Sequence, residues 1–491
     1  MRLKRGVLRR IFEPEKPEYA PARIHSYRLA ALVGGLHLTH TMRTVPRVPT
    51  DKQGCRMQSA SNEQATDAAG KPVPPYYVKG LALGVTAYLI GIHLWTWIFL
   101  LPTFLGGRAD FRQLYTAGYM VRSGHAQQLY NFDAQLHFQR LAVGPGDVPL
   151  PFIRPAFEAL LFAPFSFLNY RTAYFTFLLI NIGLLTICFR LLRARLENLA
   201  QVHPWLPVGI FLGFLPLAAA LMQGQDSILL LVLMTLALTL LDRGRDFEAG
   251  TLSGLGVFKL QIALPLGLLF LVWRRWRFSA GFVVAVASMM LLSIWVAGPV
   301  QAQAYARSLF SMGTWSGSLE NQFRYPVPIA QMANLHGLVF GLAHTRMSGF
   351  FVQIATISAS ALVFVASAVL ARDRYRSDEL LIAISVSTVV SYYLLIHDLS
   401  VLFLPVAITL SRNLPAEATG DKKVRRLARA AALMFAAPIC FSYLPNHFYV
   451  VALPALVFLF VLVNAASRDK VGTWNWHDWT WHKQRIAEPH A

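Results

Sequence analysis

Asp110, in the dipeptide Asp110-Phe111, follows the first long apolar run of the chain and lies in a stretch of hydrophilic and aromatic residues, 108–130. A carboxylate placed just outside an apolar helix is suited to take a proton from a hydroxyl. Three further polar points lie in similarly apolar surroundings: Gln223-Gly224-Gln225-Asp226, Lys259 and His397-Asp398. Together they supply a base, a cation that can hold phosphate, and a polar group to orient one of them. That set serves displacement at a carbon whose leaving group is a phosphate, because a fixed cation in a site of low dielectric acts on the developing charge more strongly than in water. Arg112, Arg154 and Arg324 are candidate assistants to Lys259. Each residue also has a plainer reading. Asp110 can cap a helix expected over 111–122, Lys259 can snorkel from a helix end, and His397-Asp398 can be a polar helix turn. Gln225 and Asp226 read more readily as caps of the following helix than as site residues.

The elements that would position these residues are membrane helices. Of 491 residues, 55% are hydrophobic and 14% charged, whereas a soluble domain carries about 25% charged residues. Apolar runs repeat from residue 78 to 463, and about 20 apolar residues suffice for one crossing. A broken helix can use two shorter pieces, and ten runs are candidates: 78–102, 170–191, 204–222, 227–241, 278–298, 349–371, 380–396, 399–410, 430–443 and 448–463. The segment 250–272 has arginines at both ends, Arg243 and Arg245 before it and Arg274, Arg275 and Arg277 after it. One crossing cannot place both flanks on the cytoplasmic side, so a hairpin of short helices turning near Phe258-Lys259-Leu260 is predicted. The fold class is therefore all-α, a polytopic membrane protein of about twelve transmembrane helices with interfacial helices on its outer face. Both termini are then cytoplasmic, and Asp110, Gln225, Lys259 and His397 share the outer surface. Residues 156–168 read as a helix in the outer interface.

Lys and Arg total 45 against 25 for Asp and Glu, but they gather at the ends of apolar spans, which orients helices in a bilayer and does not suggest nucleic acid. Residues 1–76 read as a basic, disordered cytoplasmic tail, residues 77–466 as the membrane domain, and residues 467–491 as a cytoplasmic tail. In that last stretch Trp474, Trp476, Trp479 and Trp481 suit an interfacial anchor. Cys55, Cys188 and Cys440 have no metal-ligand or redox spacing, and neither a metal nor a cofactor is expected. Gly250, Gly254 and Gly256 have the spacing that lets membrane helices approach closely. No phosphate-cradling loop is present, which argues against a nucleotide-sugar donor. The loop 299–348, with Trp315, Asn321, Arg324 and Tyr325, suits either an acceptor pocket or an interfacial anchor.

Several short pieces recur here in the order in which glycosyltransferase family 87 carries them. They are Asp110-Phe111 with Tyr115, Ala117-Gly118, Gly124 and Leu129-Tyr130; Arg154-Pro155 with Phe157 and Ala163-Pro164; Gly224-Gln225; 250–259; and His397-Asp398. Over 78–463 the chain resembles that family of polyprenyl-phosphate-mannose-dependent mannosyltransferases of GT-C fold. The resemblance implies an inverting transfer at the outer face of a bacterial plasma membrane, from a polyprenyl-phosphate sugar donor to a glycolipid or glycan acceptor. Asp110 would deprotonate the acceptor, Lys259 would lie near the lipid phosphate, and His397 would belong to the catalytic site. Tyr115, Arg154, Gln225 and Asp398 would join Arg112 and Arg324 in binding substrate. Two departures stand out: Leu260-Gln261 follows the lysine where many members have proline, and Ile153-Arg154-Pro155 replaces the usual tyrosine-proline-proline. A secondary transporter or lipid flippase, and a ligase using a diphosphate-linked oligosaccharide, are the alternatives.

Overall fold

Residues 76–144, 150–313, 329–372, 376–415 and 421–468 are described by the computed structural model, and among them every regular element is a helix. In lipid the backbone must satisfy its own polar groups, and uninterrupted helices do so. The first, α1 (Tyr76–Thr103), turns Leu81, Leu94, Ile98 and Phe99 outward. Three short helices follow: α2 (Phe111–Arg122), α3 (Phe132–Ala142) and α4 (Ala156–Phe162). They bear out the helices expected over 111–122 and at the start of 156–168. Then come α5 (Tyr170–Leu192), α6 (Glu197–Val202), α7 (Leu206–Gly213), α8 (Leu215–Gln223) and α9 (Ser227–Asp242). The middle of the chain forms α10 (Asp246–Leu255), α11 (Leu260–Val272), α12 (Trp276–Ala297) and α13 (Pro299–Gly313). The last third forms α14 (Leu335–Ala343), α15 (Gly349–Leu370), α16 (Arg376–Val390), α17 (Phe403–Asn413), α18 (Lys422–Ala436) and α19 (Ala452–Arg468).

Six helical stretches among the described residues are long and apolar enough to cross a membrane, and α7 with α8, bent by 55° at Phe214, makes a seventh. The chain is a multi-pass membrane protein. Others of the crossings expected from hydropathy are shorter helices, such as α9, α16 and α17.

One of the six stretches, Asp246–Val272, is not a single crossing. A β-carbon on Gly250 would collide with the carbonyl of Phe278, one on Gly254 with that of Phe282, and one on Gly281 with that of Phe247. From Gly250 to Gly254 the partner moves from Phe278 to Phe282, four residues forward on each helix, so α10 and α12 run parallel. Two parallel helices joined by α11 require the chain to reverse twice. The first reversal is the 3-10 turn Gly256–Lys259, where Lys259 leaves helical geometry (φ −105°, ψ 65°). The second is Trp273–Arg275, where Arg274 adopts φ 60°. The predicted hairpin is therefore present, and the glycine spacing is what permits its close packing.

The basic end of this bundle is tied by ion pairs. Arg275, before α12, holds the fully buried Glu379 at the start of α16 through two bonds, 2.8 and 2.6 Å. Arg412, near the end of α17, holds Asp378 at 2.9 Å, and Arg195 pairs with Asp242 at the end of α9. Consequently α10, α12 and α16 leave the basic end together, while α9 and α17 return to it. Gln225-Asp226, Lys259 and His397-Asp398 all fall at the opposite end.

Candidate active site

Asp110 occupies the N-cap position of α2, yet its carboxylate makes no capping hydrogen bond. Instead Asp110 Oδ2 accepts a 2.6 Å bond from Nε2 of Gln225, and the Asp110 backbone N–H donates to Oε1 of Gln223 at 3.1 Å. The cap reading of Asp110 is thereby overturned. Gly224 enables the approach: it ends α8 in the left-handed region (φ 60°), and a β-carbon there would strike Phe111.

Gln225 connects this acid to two cations. Its Oε1 accepts from Nη2 of Arg154 at 2.8 Å and from Nζ of Lys259 at 3.2 Å. Lys259 also lies 2.7 Å from Asp398 Oδ1 and 3.0 Å from Asp226 Oδ1. Of the three N–H donors of an ammonium, Lys259 gives one to Gln225 Oε1 and one to Asp398 Oδ1, while Asp226 Oδ1 is an ion-pair neighbour without a hydrogen bond. Arg154 pairs with Asp226 and, at 3.0 Å, with Glu158 in the first turn of α4. The Asp226 carboxylate thus serves Arg154 and Lys259 and makes no side-chain cap for α9, which corrects its reading as a cap. Gln225 likewise belongs to the network. Asp398 has two tasks, accepting from Lys259 and from the Leu395 backbone N–H at 3.1 Å, so it fixes its own turn as it binds the lysine.

His397 lies between two acids. Its Nδ1 is 3.6 Å from Asp110 Oδ2 and its Nε2 is 3.5 Å from Asp398 Oδ1. Burial is the main influence on the ring and holds its pKa below the usual histidine value, against the pull of Asp398. Burial likewise drives the Glu158 carboxyl well above the usual range, with Arg154 opposing. For Asp226 burial also favours the neutral form, but Arg154 and then Lys259 outweigh it and keep the pKa low. Arg154 and Lys259 are thus balanced by Asp226 and Asp398, with Glu158 neutral. Asp110 is the carboxylate left over, and it is the exposed one: 21% of its side-chain surface is open, against 1% for Asp226 and Asp398.

The cluster sits below the end of α12, not level with it. Gly254 meets α12 at Phe282 and Ala285, so Lys259, five residues on, is level with about Met289, roughly 12 Å short of Ala297 at 1.5 Å per residue. The backbone N–H of Phe157, which follows Arg154-Pro155-Ala156, donates to Ser293 Oγ of α12 at 3.2 Å. The hairpin α10–α11 is too short to carry its tip to the end of α12.

Not every expected residue joins the cluster. Arg112 is 2% exposed and donates to the carbonyls of Gly107 and Gly144 at 3.3 and 3.1 Å, bracing the backbone around α2. The Tyr115 hydroxyl donates to the Leu168 carbonyl at 2.7 Å, and its ring packs on Phe111 and Tyr170. Arg324, Trp315, Asn321 and Tyr325 lie outside the described residues, as do residues 1–75 and the tryptophans of 469–491. Glu158 and Asp226 are the residues that sequence reading missed as partners of the two cations. Glu158 carried a signal, being an acid inside the apolar segment 156–168, where charge requires a partner. Among the described residues no group of three or more His, Cys, Asp or Glu side chains is arranged to hold a metal ion.

Comparison with known families matches residues 152–405 to glycosyltransferase family 87. That is more than half of the chain; it includes Arg154, Glu158, Gln225, Asp226, Lys259, His397 and Asp398, and begins after Asp110. No curated protein and no solved structure matches.

Proposed function

The chain belongs to glycosyltransferase family 87 and is a membrane glycosyltransferase, and from that premise we propose that it moves a hexose, mannose by the family resemblance, from a polyprenyl monophosphate to an acceptor hydroxyl on a lipid or glycan. The observation that carries this reading is the solvent-open Asp110 carboxylate, uncapped and held by Gln225 beside two buried cations. Asp110 takes the proton of the acceptor hydroxyl, whose oxygen forms the new bond to the anomeric carbon. The carbon–oxygen bond to phosphate breaks on the opposite face, its electron pair leaves with the lipid phosphate, and the configuration inverts. A direct ion pair would hold the carboxylate in its charged form and weaken it as a base. The Gln225 amide keeps both cations one side chain away.

The leaving phosphate is assigned to Lys259. Of the three oxygens around its ammonium, Gln225 Oε1 is the most distant and the one without charge. A phosphate oxygen replacing it leaves Asp226 and Asp398 paired, so the exchange avoids the cost of an unpaired buried carboxylate. His397, held neutral by burial, orients Asp110. By the positive-inside rule the arginine-rich ends of α10, α12 and α16 face the cytoplasm. The catalytic membrane domain, residues 77–466 with a GT-C architecture of about twelve crossings, then opens to the outer face of a bacterial plasma membrane with both tails cytoplasmic.

The test is transfer by purified protein in bilayers, offered polyprenyl-phosphate mannose or a diphosphate-linked oligosaccharide with a glycolipid acceptor. Consumption of the monophosphate donor with release of polyprenyl phosphate supports the proposal, and use of the diphosphate donor alone replaces it with a ligase. The depth of the cluster below the end of α12 also suits a transport path. Counterflow of a labelled solute with no donor consumed would turn the reading to transport.

A further inference from the structure

Four tyrosines near the cluster are satisfied in the same way. The hydroxyls of Tyr115, Tyr130, Tyr170 and Tyr174 donate to the backbone carbonyls of Leu168, Arg154, Phe104 and Met222, at 2.7, 2.7, 3.3 and 2.7 Å. Two others break the pattern. Tyr305, on α13, and Tyr392, in the irregular segment after α16, are half-buried, and neither hydroxyl has a hydrogen-bond partner among the described residues. Neither oxygen is among the described side-chain atoms that are fully buried without a partner, so both hydroxyls are open beside the polar cluster and available to bond a ligand.

The ring of Tyr305 and the backbone that bears Tyr392 are each held in place by their surroundings. Tyr305 stacks on Tyr130 (centroids 5.4 Å apart, 30° between planes), and Tyr130 stacks on the buried Phe152 at 6.4 Å and 26°. Tyr130 is fixed in turn by its bond to the Arg154 carbonyl and by its backbone N–H, which donates to Gln301 Oε1 of α13 at 3.3 Å. The segment bearing Tyr392 is pinned from α14, where Asn334 Nδ2 donates to the Ser391 carbonyl at 2.8 Å and His336 Nδ1 meets the Tyr392 carbonyl at 2.8 Å. The two phenols lie close enough to act on each other electrostatically. Tyr305 also feels Glu158 and Arg154, and Tyr392 feels Asp398. Asp398 is a partner of Lys259, whereas Asp110 lies beyond His397.

We infer that Tyr305 and Tyr392 form a subsite for the hexose ring of the donor, and that their hydroxyls select among hexoses by hydrogen-bonding ring hydroxyls. This rests on the transferase reading above. A phenol hydroxyl both donates and accepts, which matches the hydroxyls of a sugar, and a ring already stacked on one face by Tyr130 is rigid. Tyr305 reaches Arg154 through Tyr130, and Tyr392 lies in the segment that leads to Asp398, the partner of Lys259, so the pair borders the two cations where the donor phosphate is assigned, which makes the donor sugar and not the acceptor the occupant. A site built to bond a particular substrate hydroxyl rejects an analogue that lacks or misplaces it, because its own polar groups are then left unpaired.

The experiment compares wild type, Tyr305→Phe and Tyr392→Phe in bilayers, with mannosyl and glucosyl polyprenyl phosphates as donors and one acceptor. Phenylalanine keeps the stacking, so the fold is retained, and thermal unfolding confirms it. The expected result is a loss of about two- to tenfold in the discrimination between the two donors for each variant, one neutral hydrogen bond each, with the KM for acceptor unchanged. Discrimination within twofold of wild type in both variants would overturn the subsite. A change confined to the acceptor KM would overturn its assignment to the donor. If wild type transfers neither hexose, the transferase reading fails and the subsite falls with it, an outcome distinct from active variants that discriminate normally.

Discussion

Replacing Lys259 by Met removes the ammonium and keeps most of the volume of the stem. The structure sets the cost. The lysine side chain is 3% exposed and meets Asp398 at 2.7 Å and Asp226 at 3.0 Å, both 1% exposed. Without it Asp226 keeps Arg154, but Asp398 is left with His397 at 3.5 Å, the Leu395 backbone N–H at 3.1 Å and the Ser227 hydroxyl at 3.5 Å. Removing one partner of a buried ion pair costs about 3–5 kcal/mol, because the remaining charge is buried and uncompensated. At 1.4 kcal/mol per factor of ten, the folded population relative to unfolded falls by roughly 10² to 10³·⁵. Thermal unfolding of protein in nanodiscs at one fixed scan rate, supported by inactivation half-lives, ranks the variants where unfolding is irreversible. Asp398→Asn on the Lys259→Met background removes the orphaned charge and should recover a large part of the loss. Donor binding should not recover, since neither substitution restores a cation for the phosphate, and the raised donor KM of Lys259→Met should persist in the double variant. A single-variant cost under about 1 kcal/mol, or a double variant no more stable than the single, would refute the ion-pair argument and leave Lys259 a free side chain.

Other expectations follow from the same geometry. Asp110→Asn preserves an acceptor for Gln225 and removes no cap, so it should unfold like wild type while transfer falls by about 10²-fold or more; near-normal turnover would end the assignment of Asp110 as base. Glu158→Gln mimics a carboxyl that burial keeps protonated and should cost less than about 1 kcal/mol, whereas Asp226→Asn, which strips a charge from both Arg154 and Lys259, should cost about 3–5 kcal/mol; equal costs would contradict the protonation assigned to Glu158. Gly250→Ala places a methyl against the Phe278 carbonyl and should destabilise by about 1–3 kcal/mol, read as lost thermal stability. For His397 the folded pKa is below the ordinary 6.5, so between those values the unfolded chain binds more protons and stability falls as pH drops below 6.5. The stability advantage of wild type over His397→Gln should shrink over that window, and a pH-independent difference would argue against a buried neutral ring.

The helical class, the turn at Lys259 and the helix over 111–122 were legible because each rests on a local pattern. Arginines on both flanks of one apolar segment demand an even number of passages, and Gly250 with Gly254 marks the face that must pack closely. What the sequence hid was pairing at long range. Nothing near Asp226 distinguishes a cap from a counter-ion, since both begin a helix, and only the arrival of Arg154 and Lys259 decides between them. Asp110 was ambiguous for the same reason, resolved by Gln225 from the turn between α8 and α9. Arg112 looked available in a hydrophilic stretch but braces the Gly107 and Gly144 carbonyls. The depth of the cluster was also hidden, because a flank rule gives sides and not distances.

The pairing of Lys259 has a consequence for how the chain is made. Domains emerge N-terminus first during synthesis, and Asp398 lies 139 residues downstream of the lysine it binds. When the α10–α11 hairpin first enters the bilayer, its charged tip has Asp226 and Gln225 already synthesised and Asp398 still to come. Asp226, shared with Arg154, is then the interim counter-ion that makes insertion tolerable, and assembly of the cluster is complete only when the turn after α16 arrives. The contact between Lys259 and Asp398 therefore closes late in synthesis, after the helices up to α16 have been made.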